Sequence, residues 1–150
     1  MKQIKNKIME ASDILIEKVK EFEGLRLTSY KDSAGVWTIG YGHTHGVKAG
    51  QSIITEKQAD SLLRGDLLTA ENYVNGLKLN LTQGQFDALV DFCYNLGAGN
   101  LAGSTLLAKI RAKAPTEEIQ AQFKRWVYAG KKKLAGLVKR REWEARRWTE

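Results

Sequence analysis

Two carboxylates and one hydroxyl stand at short intervals in the first third of the chain. Asp32 follows Glu23 after eight intervening residues, and Thr38 follows Asp32 after five more. Hydrolysis of a glycosidic bond needs one protonated carboxyl for the leaving oxygen and one ionised carboxylate to direct water or balance charge at the sugar carbon. A threonine hydroxyl can hold that water. These three side chains are therefore of the types that a hydrolytic site needs.

The segment before this set predicts how Glu23 is held. On a helix of about 100° per residue, Leu15 and Val19 share an arc with Glu23, whereas Glu21 points away. Gly24 is a typical helix stop, which leaves Glu23 in the last turn beside the negative end of the helix dipole. Partial burial and that dipole both favour the protonated carboxyl, so Glu23 is the predicted proton donor.

The residues that follow predict an antiparallel hairpin. Strands are expected at residues 27–30 and 36–41, which are rich in aromatic and branched side chains, with the turn KDSAG between them. Alternation along the second strand places Thr38 on a face with Val36 and Gly40, away from the bulky side chains. Asp32 in the polar turn is expected to stay ionised, and Thr38 is expected to hold a water.

Each of these residues also has an ordinary structural explanation. A glutamate at a helix end is commonly a solvated charge, an aspartate in a turn a turn former, and a threonine in a strand only a strand residue. Their combination, followed at once by GYGHT, favours catalysis.

The segment EGLRLTSYKDSAGVWTIGYGHT resembles the phage-type lysozymes, or endolysins, in spacing and in flanking residues. The later segments LTQGQFDALVDFCYNLGAGNLAGSTLL and RWVYAGKKKLAGLVKRREWE are similar to the helical part of the same family. The resemblance implies a glycoside hydrolase of the inverting kind that cleaves the β-1,4 bond between N-acetylmuramic acid and N-acetylglucosamine in bacterial peptidoglycan, for host lysis. It implies Glu23 as general acid, Asp32 as second carboxylate and Thr38 as the water-positioning group.

The resemblance also implies an α+β, lysozyme-like fold that is mostly helical. One domain, residues 1–150, would comprise an N-terminal lobe with the hairpin (15–54), a connecting helix (55–77) and a larger helical lobe (78–150). Capping boxes at TEKQ and TQGQ mark the starts of the connecting helix and of the next helix. Further helices are expected from about residue 104, over 117–126 and over 134–148.

Several binding and structural roles follow from the same resemblance. Tyr94 and Asn95 would line a cleft opposite Glu23, and Thr44 and Gln120 are candidate sugar contacts; Tyr94 is equally a candidate boundary residue. Another pair is structural. Asp66 lies within the apolar stripe of the connecting helix, where a charge is costly without a partner, and His43 is its predicted partner.

The composition indicates no cofactor. The single cysteine, Cys93, excludes an internal disulfide and is expected in the core, and the two histidines form no helical pair that would bind a metal. We find no apolar run that could span a membrane, and charged residues interrupt the first twenty positions. The chain is therefore expected to be a monomer made in the host cytoplasm, without stable membrane insertion, and the resemblance implies release to the wall through a separate membrane pore. The role of residues 1–10 stays open.

The formal charge is +7, and basic residues concentrate in residues 131–147. They could form a solvated helix face or attract an anionic cell wall. A rival hypothesis is a nucleic-acid-binding module with stacking side chains at Trp126, Trp143 and Trp148. It leaves the residues around Glu23 unexplained, so no specific nucleic-acid partner is expected. A fold that has lost catalysis is disfavoured because all three catalytic positions hold the expected types; the preferred peptidoglycan type stays open.

Overall fold

The computed structural model describes residues 7–52 and 55–150. Helices dominate, and two small antiparallel sheets accompany them, which confirms the α+β class. In chain order the elements are α1 (Asp13–Glu23), β1 (Arg26–Lys31), β2 (Trp37–Gly40), α2 (Glu56–Gly76), α3 (Gln83–Leu96), α4 (Ala98–Ala102), α5 (Thr105–Arg111), α6 (Thr116–Phe123), β3 (Tyr128–Ala129), β4 (Lys132–Lys133) and α7 (Ala135–Arg147).

The chain forms two compact units. The first, called the hairpin unit, is Asp13–Thr69, and the second, called the helical unit, comprises Ala70–Glu150 and the described residues that precede Asp13. The boundary in sequence falls inside α2. Each unit has its own buried apolar side chains, among them Leu15, Ile39 and Leu63 in the first and Phe86 and Phe123 in the second.

Three successive residues of β2 are buried. Thr38 is only 3% exposed and is buried together with Ile39 and Gly40, a degree of burial that alternation along the strand did not predict. The reason lies in the next turn, which folds back on the strand, so that Ile39 and His43 exchange two backbone hydrogen bonds of 2.9 Å. A short strand covered in this way does not present one dry and one wet face.

The two capping boxes are confirmed. At the start of α2, the Gln58 amide donates to Thr55 Oγ1 at 3.1 Å and the Thr55 amide donates to Gln58 Oε1 at 3.2 Å. Thr82 and Gln85 make the same reciprocal pair at α3, and Gly97 ends that helix. One predicted boundary shifts: the helix expected over 117–126 is α6, which ends at Phe123, and the chain then leads into β3, which was not predicted.

Only part of the basic stretch of α7 is a solvated face, because Lys139 and Arg146 are exposed whereas three arginines of the same helix are buried. Arg140 and Arg147 are nearly buried and donate to the fully buried carboxylates of Asp91 and Asp87, with shortest distances of 2.9 Å and 2.8 Å. Arg141 is fully buried as well. These guanidinium groups are enclosed with acidic partners supplied largely by α3, and so are withdrawn from any external anion.

The tryptophans proposed for base stacking also have structural roles. Trp143 and Trp148 are buried at 7% and 5% exposure. Trp126 packs edge-on to Phe92 with ring centroids 5.4 Å apart, and Phe92 makes the same kind of contact with Phe123 at 5.9 Å. Trp143 and Trp148 are too buried to stack on bases, and the half-buried Trp126 is engaged with Phe92, so the nucleic-acid hypothesis loses most of its support.

The chain before α1 is held on the helical unit by side chains that bind its backbone. Asn75 exchanges two hydrogen bonds of 2.9 Å with the Met9 peptide, and Glu71 accepts from the Ala11 amide at 2.9 Å. Asp87 accepts from the Ser12 amide at 3.1 Å and also from the Ser12 hydroxyl. Of residues 1–10, whose role the sequence leaves open, residues 1–6 lie outside the described residues and Met9 belongs to this docked segment.

Candidate active site

Glu23 is the last residue of α1 and is half-buried against a backbone without a side chain. The helix ends as predicted, since Gly24 adopts a φ of +71° and its amide donates to the Lys20 carbonyl at 2.9 Å. The Glu23 carboxyl then lies over Gly42. A Cβ placed on Gly42 would be 2.7 Å from Glu23 Oε2 and 3.1 Å from the carboxyl carbon, so the carboxyl would have to move to accommodate it.

The GYGHT run forms the turn that makes this approach possible. Gly40 and Gly42 have φ angles of +65° and +79°, a region that favours glycine, and the turn is closed by the paired Ile39 and His43. One glycine therefore reverses the chain while the other leaves room for the Glu23 carboxyl. The contact between Gly42 and the proposed acid was not predicted from the sequence, in which this run served only as a family signature. The available signal was the alternation of glycines directly after a strand.

An ion-pair network fixes the last turns of α1 to α2 within the hairpin unit. Lys20 Nζ lies 2.7 Å from Asp60 Oδ1, and Arg64 Nε lies 2.8 Å from Asp60 Oδ2. The hydrogen bond to Asp60 raises the pKa of Lys20, and the hydrogen bonds from Lys20 and Arg64 lower the pKa of Asp60. Because Lys20 lies one turn before Glu23, this network limits movement of the helix end that carries the carboxyl.

Asp32 and Thr38 are both oriented by the peptide groups of Val36. Asp32 Oδ1 accepts from the Val36 amide at 2.8 Å and from the Ala34 amide at 2.9 Å, while Thr38 Oγ1 donates to the Val36 carbonyl at 2.9 Å. Among the described residues, none donates a hydrogen bond to Asp32 Oδ2. The carboxylate is thus fixed through one oxygen, and the other oxygen and the lone pairs of Thr38 Oγ1 are available chemically for a water.

His43 and Asp66 lie in contact within the hairpin unit. His43 Nδ1 is 2.8 Å from Asp66 Oδ2 and 3.0 Å from Oδ1, and the two side chains are 13% and 25% exposed. The contact joins the turn that carries Gly42 to α2. His43, the residue after Gly42, is thereby anchored on a helix, and the predicted contact between His43 and Asp66 is present.

The candidate sugar contacts occupy different surroundings. Thr44 is exposed in the hairpin unit. In the helical unit, Tyr94 is half-buried with the Arg140 guanidinium 5.9 Å from its ring centroid, and Asn95 Oδ1 accepts from Arg141 at 2.7 Å. Gln120 donates to the Ala145 carbonyl at 2.7 Å, which ties α6 to α7. That bond gives the Gln120 amide nitrogen a structural role.

The described residues form neither a metal centre nor a membrane-spanning helix. Across residues 7–52 and 55–150, no three histidine, cysteine or acidic side chains gather closely enough to bind a metal ion. Within the same ranges, no helix combines the length and the apolar character needed to cross a membrane.

Comparison with known proteins gives consistent matches. The chain matches the Phage lysozyme family over residues 20–144. It is 42% identical to the endolysin of Bacillus phage PZA over 139 residues, covering 91% of this chain but only 54% of that protein. It is 40% identical to the endolysin of Acyrthosiphon pisum secondary endosymbiont phage 1, covering 84% of this chain and 88% of that protein.

A solved structure agrees with these sequence matches. The muramidase domain of SpmX from Asticaccaulis excentricus superposes with a TM-score of 0.85 at 36% identity, over 94% of this chain and 98% of that one. The similarity extends over nearly the whole of both chains, which confirms the lysozyme-like fold. The chain belongs to the phage lysozyme family.

Proposed function

We propose that this chain is an endolysin that hydrolyses the β-1,4 bond between N-acetylmuramic acid and N-acetylglucosamine in bacterial peptidoglycan. The observation that supports this most directly is the Glu23 carboxyl, held at a helix end against Gly42 in the same unit as Asp32 and Thr38. Support also comes from the family of the chain and from relatives that are endolysins by name. The chain spans about half of the Bacillus phage relative, with 54% of it covered.

In the proposed reaction, Glu23 gives its proton to the glycosidic oxygen as the bond to the sugar carbon breaks. A water held by Asp32 and Thr38 adds to that carbon from the opposite face, and Asp32 accepts a proton from it. Each carboxyl therefore exchanges one proton, and the two return to their starting states through solvent. This arrangement gives inversion at the sugar carbon.

We propose further that the chain acts as a monomer, is made in the host cytoplasm and reaches the wall through a pore formed by another protein. Expression of the chain alone, and then with a pore-forming protein, tests this route. Lysis is expected only in the second case, and lysis by the chain alone would contradict it.

The hydrolytic assignment is tested with Glu23→Gln on permeabilised Gram-negative cells. The amide keeps the shape of the side chain but cannot donate the proton, so the rate of turbidity loss should fall on the order of 10²-fold or more. Glu21→Gln is the matched control, since Glu21 is exposed and pairs only with Lys18 at 3.3 Å among the described residues. A Glu23 variant that lyses cells at the parent rate, while still folded by circular dichroism, would overturn the assignment.

A further inference from the structure

The helical unit contains a pocket that the proposed reaction does not use. It lies where the segment after α2 meets the end of α5, the start of α6 and Trp148, and its volume is about 590 Å³. This volume is within the range of pockets that bind small molecules, roughly 300–1,000 Å³. None of Glu23, Asp32 and Thr38 belongs to its wall.

The wall combines apolar side chains with positive charge. Ile110, Ile119 and Trp148 contribute apolar surface, whereas Lys78, Arg111 and Lys113 contribute the charge. Among the described residues that line the pocket, every ionisable one is basic. A wall of this kind is complementary to a ligand with an apolar body and an anionic group.

The backbone at two of the basic residues supports a binding role. Lys78 and Lys113, with φ angles of +55° and +56°, are the only residues other than glycine with positive φ in the part of the chain that the structure describes. Each follows the end of a helix, a position where glycine is strongly favoured. The chain keeps lysine at both strained positions, and both line the same pocket, a pattern typical of a functional site.

We propose that this pocket binds small amphiphilic anions. An alkyl or aromatic body would lie against Ile110, Ile119 and Trp148, and a phosphate, sulfonate or carboxylate group would lie near the three basic side chains. A purely structural alternative is that the lysines balance the negative ends of the α2 and α5 dipoles. That alternative needs positive charge but no ligand, so binding measurements separate the two.

Titration calorimetry with octyl phosphate, below its micelle concentration, tests the ligand class. We expect one binding site, with 1-octanol and inorganic phosphate each at least about tenfold weaker, because each supplies only half of the complementary surface. Octanol that binds as well as octyl phosphate would overturn the anionic part of the proposal. Absence of binding by octyl phosphate would overturn the whole proposal.

A double variant tests the location. Lys78→Gly with Lys113→Gly removes two charges and relieves both strained backbones, so affinity for octyl phosphate should fall at least about tenfold while the Tm stays equal or rises. The matched control, Lys131→Ala with Lys132→Ala, removes two charges from the exposed β3–β4 hairpin and should bind like the parent. Parent-like affinity of the pocket variant, or equal losses in both variants, would overturn the assignment.

A dissolved amphiphile and the headgroup of an anionic lipid share this chemistry, and competition distinguishes them. Displacement of octyl phosphate by phosphatidylglycerol vesicles, but not by phosphatidylcholine vesicles, would identify a lipid as the source. If neither kind of vesicle displaces octyl phosphate, the source is a dissolved anion. No proposed catalytic residue lines the pocket, so the double glycine variant should hydrolyse bacterial cell walls at the parent rate. This keeps the binding test independent of the proposed function.

Discussion

The carboxyl of Glu23 rests on the backbone of Gly42 so closely that a Cβ atom at residue 42 would force the carboxyl to shift. One partner is fixed by the end of α1, and the other by a turn closed through Ile39 and His43. The position of the Glu23 carboxyl therefore depends on the absence of a Cβ atom at residue 42, in addition to the contacts that Glu23 itself makes.

Replacement of Gly42 by alanine should therefore displace the acid. The new Cβ would meet Glu23 Oε2 at 2.7 Å, and a shift of about 1 Å in a reacting group can cost roughly 10²-fold in rate. The kcat for wall hydrolysis should fall by about that factor, as measured by turbidity at saturating substrate.

Gly46→Ala is the matched control for this variant. Gly46 has a φ of +70°, similar to the +79° of Gly42, but nothing lies within 4 Å of a Cβ placed there. Both variants bear the strain of a positive φ, so their losses of stability should be similar. Equal losses of kcat in the two would show that strain, and not the contact with Glu23, limits the reaction.

Thr38→Val tests the water-positioning role. Valine keeps the branched shape at this buried site but removes the hydroxyl that donates to the Val36 carbonyl at 2.9 Å. We expect kcat to fall with little change in KM, because the hydroxyl acts on the attacking water and not on the bound glycan. Thr28→Val, at an exposed position of β1, should leave both constants unchanged.

The stereochemistry of the first product provides an independent test. The proposed water attack predicts an inverted, α-configured sugar when the reaction is followed by NMR before mutarotation. A β-configured first product would indicate a covalent glycosyl-enzyme and would remove Thr38 from its proposed role.

Glu144 should make stability depend on pH. Burial, followed by the hydrogen bond to Asp91 and its charge, raises the pKa of Glu144 well above 4.5. A raised pKa stabilises the fold fully below the unfolded value, and this contribution is lost as pH rises through the folded value. The glutamine in Glu144→Gln does not titrate. The free energy of unfolding of this variant minus that of the parent should therefore increase as pH rises above about 4.5.

Urea unfolding at several pH values between 5 and 8 measures this difference. Burial opposes ionisation of Asp91, but Arg140 and the hydrogen bond from Glu144 lower the pKa of Asp91 overall. The contribution of Asp91 to the free energy of unfolding is therefore lost only in acid, below about pH 5. Glu142→Gln, at an exposed position of α7, should track the parent throughout. A difference between Glu144→Gln and the parent that stays constant with pH would show that Glu144 is ionised in the folded protein.

Three consecutive lysines, Lys131, Lys132 and Lys133, lie exposed on the β3–β4 hairpin. Tyr128 is 60% exposed there, and Lys132 and Lys133 form the exposed β4. Replacement of Lys131, Lys132 and Lys133 by glutamate should slow lysis of anionic cell walls at low salt. High salt should slow lysis by the parent in the same way, because the Debye length is only about 10 Å at 0.1 M. Cleavage of a short neutral chito-oligomer should change far less, and an equal salt response of both substrates would contradict this role.

Local signals in the sequence predicted local structure well. The capping boxes, the helix stop at Gly24 and the turn at Asp32 each depend on a few consecutive residues, and the structure has them at those positions. The burial of Thr38 was not predictable in this way, because it depends on the chain folding back over β2.

Charge pairing over long sequence distances was the other feature that sequence analysis missed. Arg140 and Arg147 belong to a basic run, and only their buried partners on α3 show that they are internal. A signal was present, since Asp87 and Asp91 are four residues apart on an otherwise apolar helix face, which places two carboxylates on the same side.

The buried Asp87 carboxylate binds both ends of the described chain, accepting from Ser12 near its start and from Arg147 near its finish. The helical unit therefore draws its contacts from both sides of the hairpin unit in sequence, whereas the hairpin unit is one contiguous stretch that ends at Thr69. Loss of the last turn of α7 would remove the guanidinium partner of Asp87 and leave a buried carboxylate without its positive charge. A chain shortened by these few residues should therefore be destabilised far more than its length suggests.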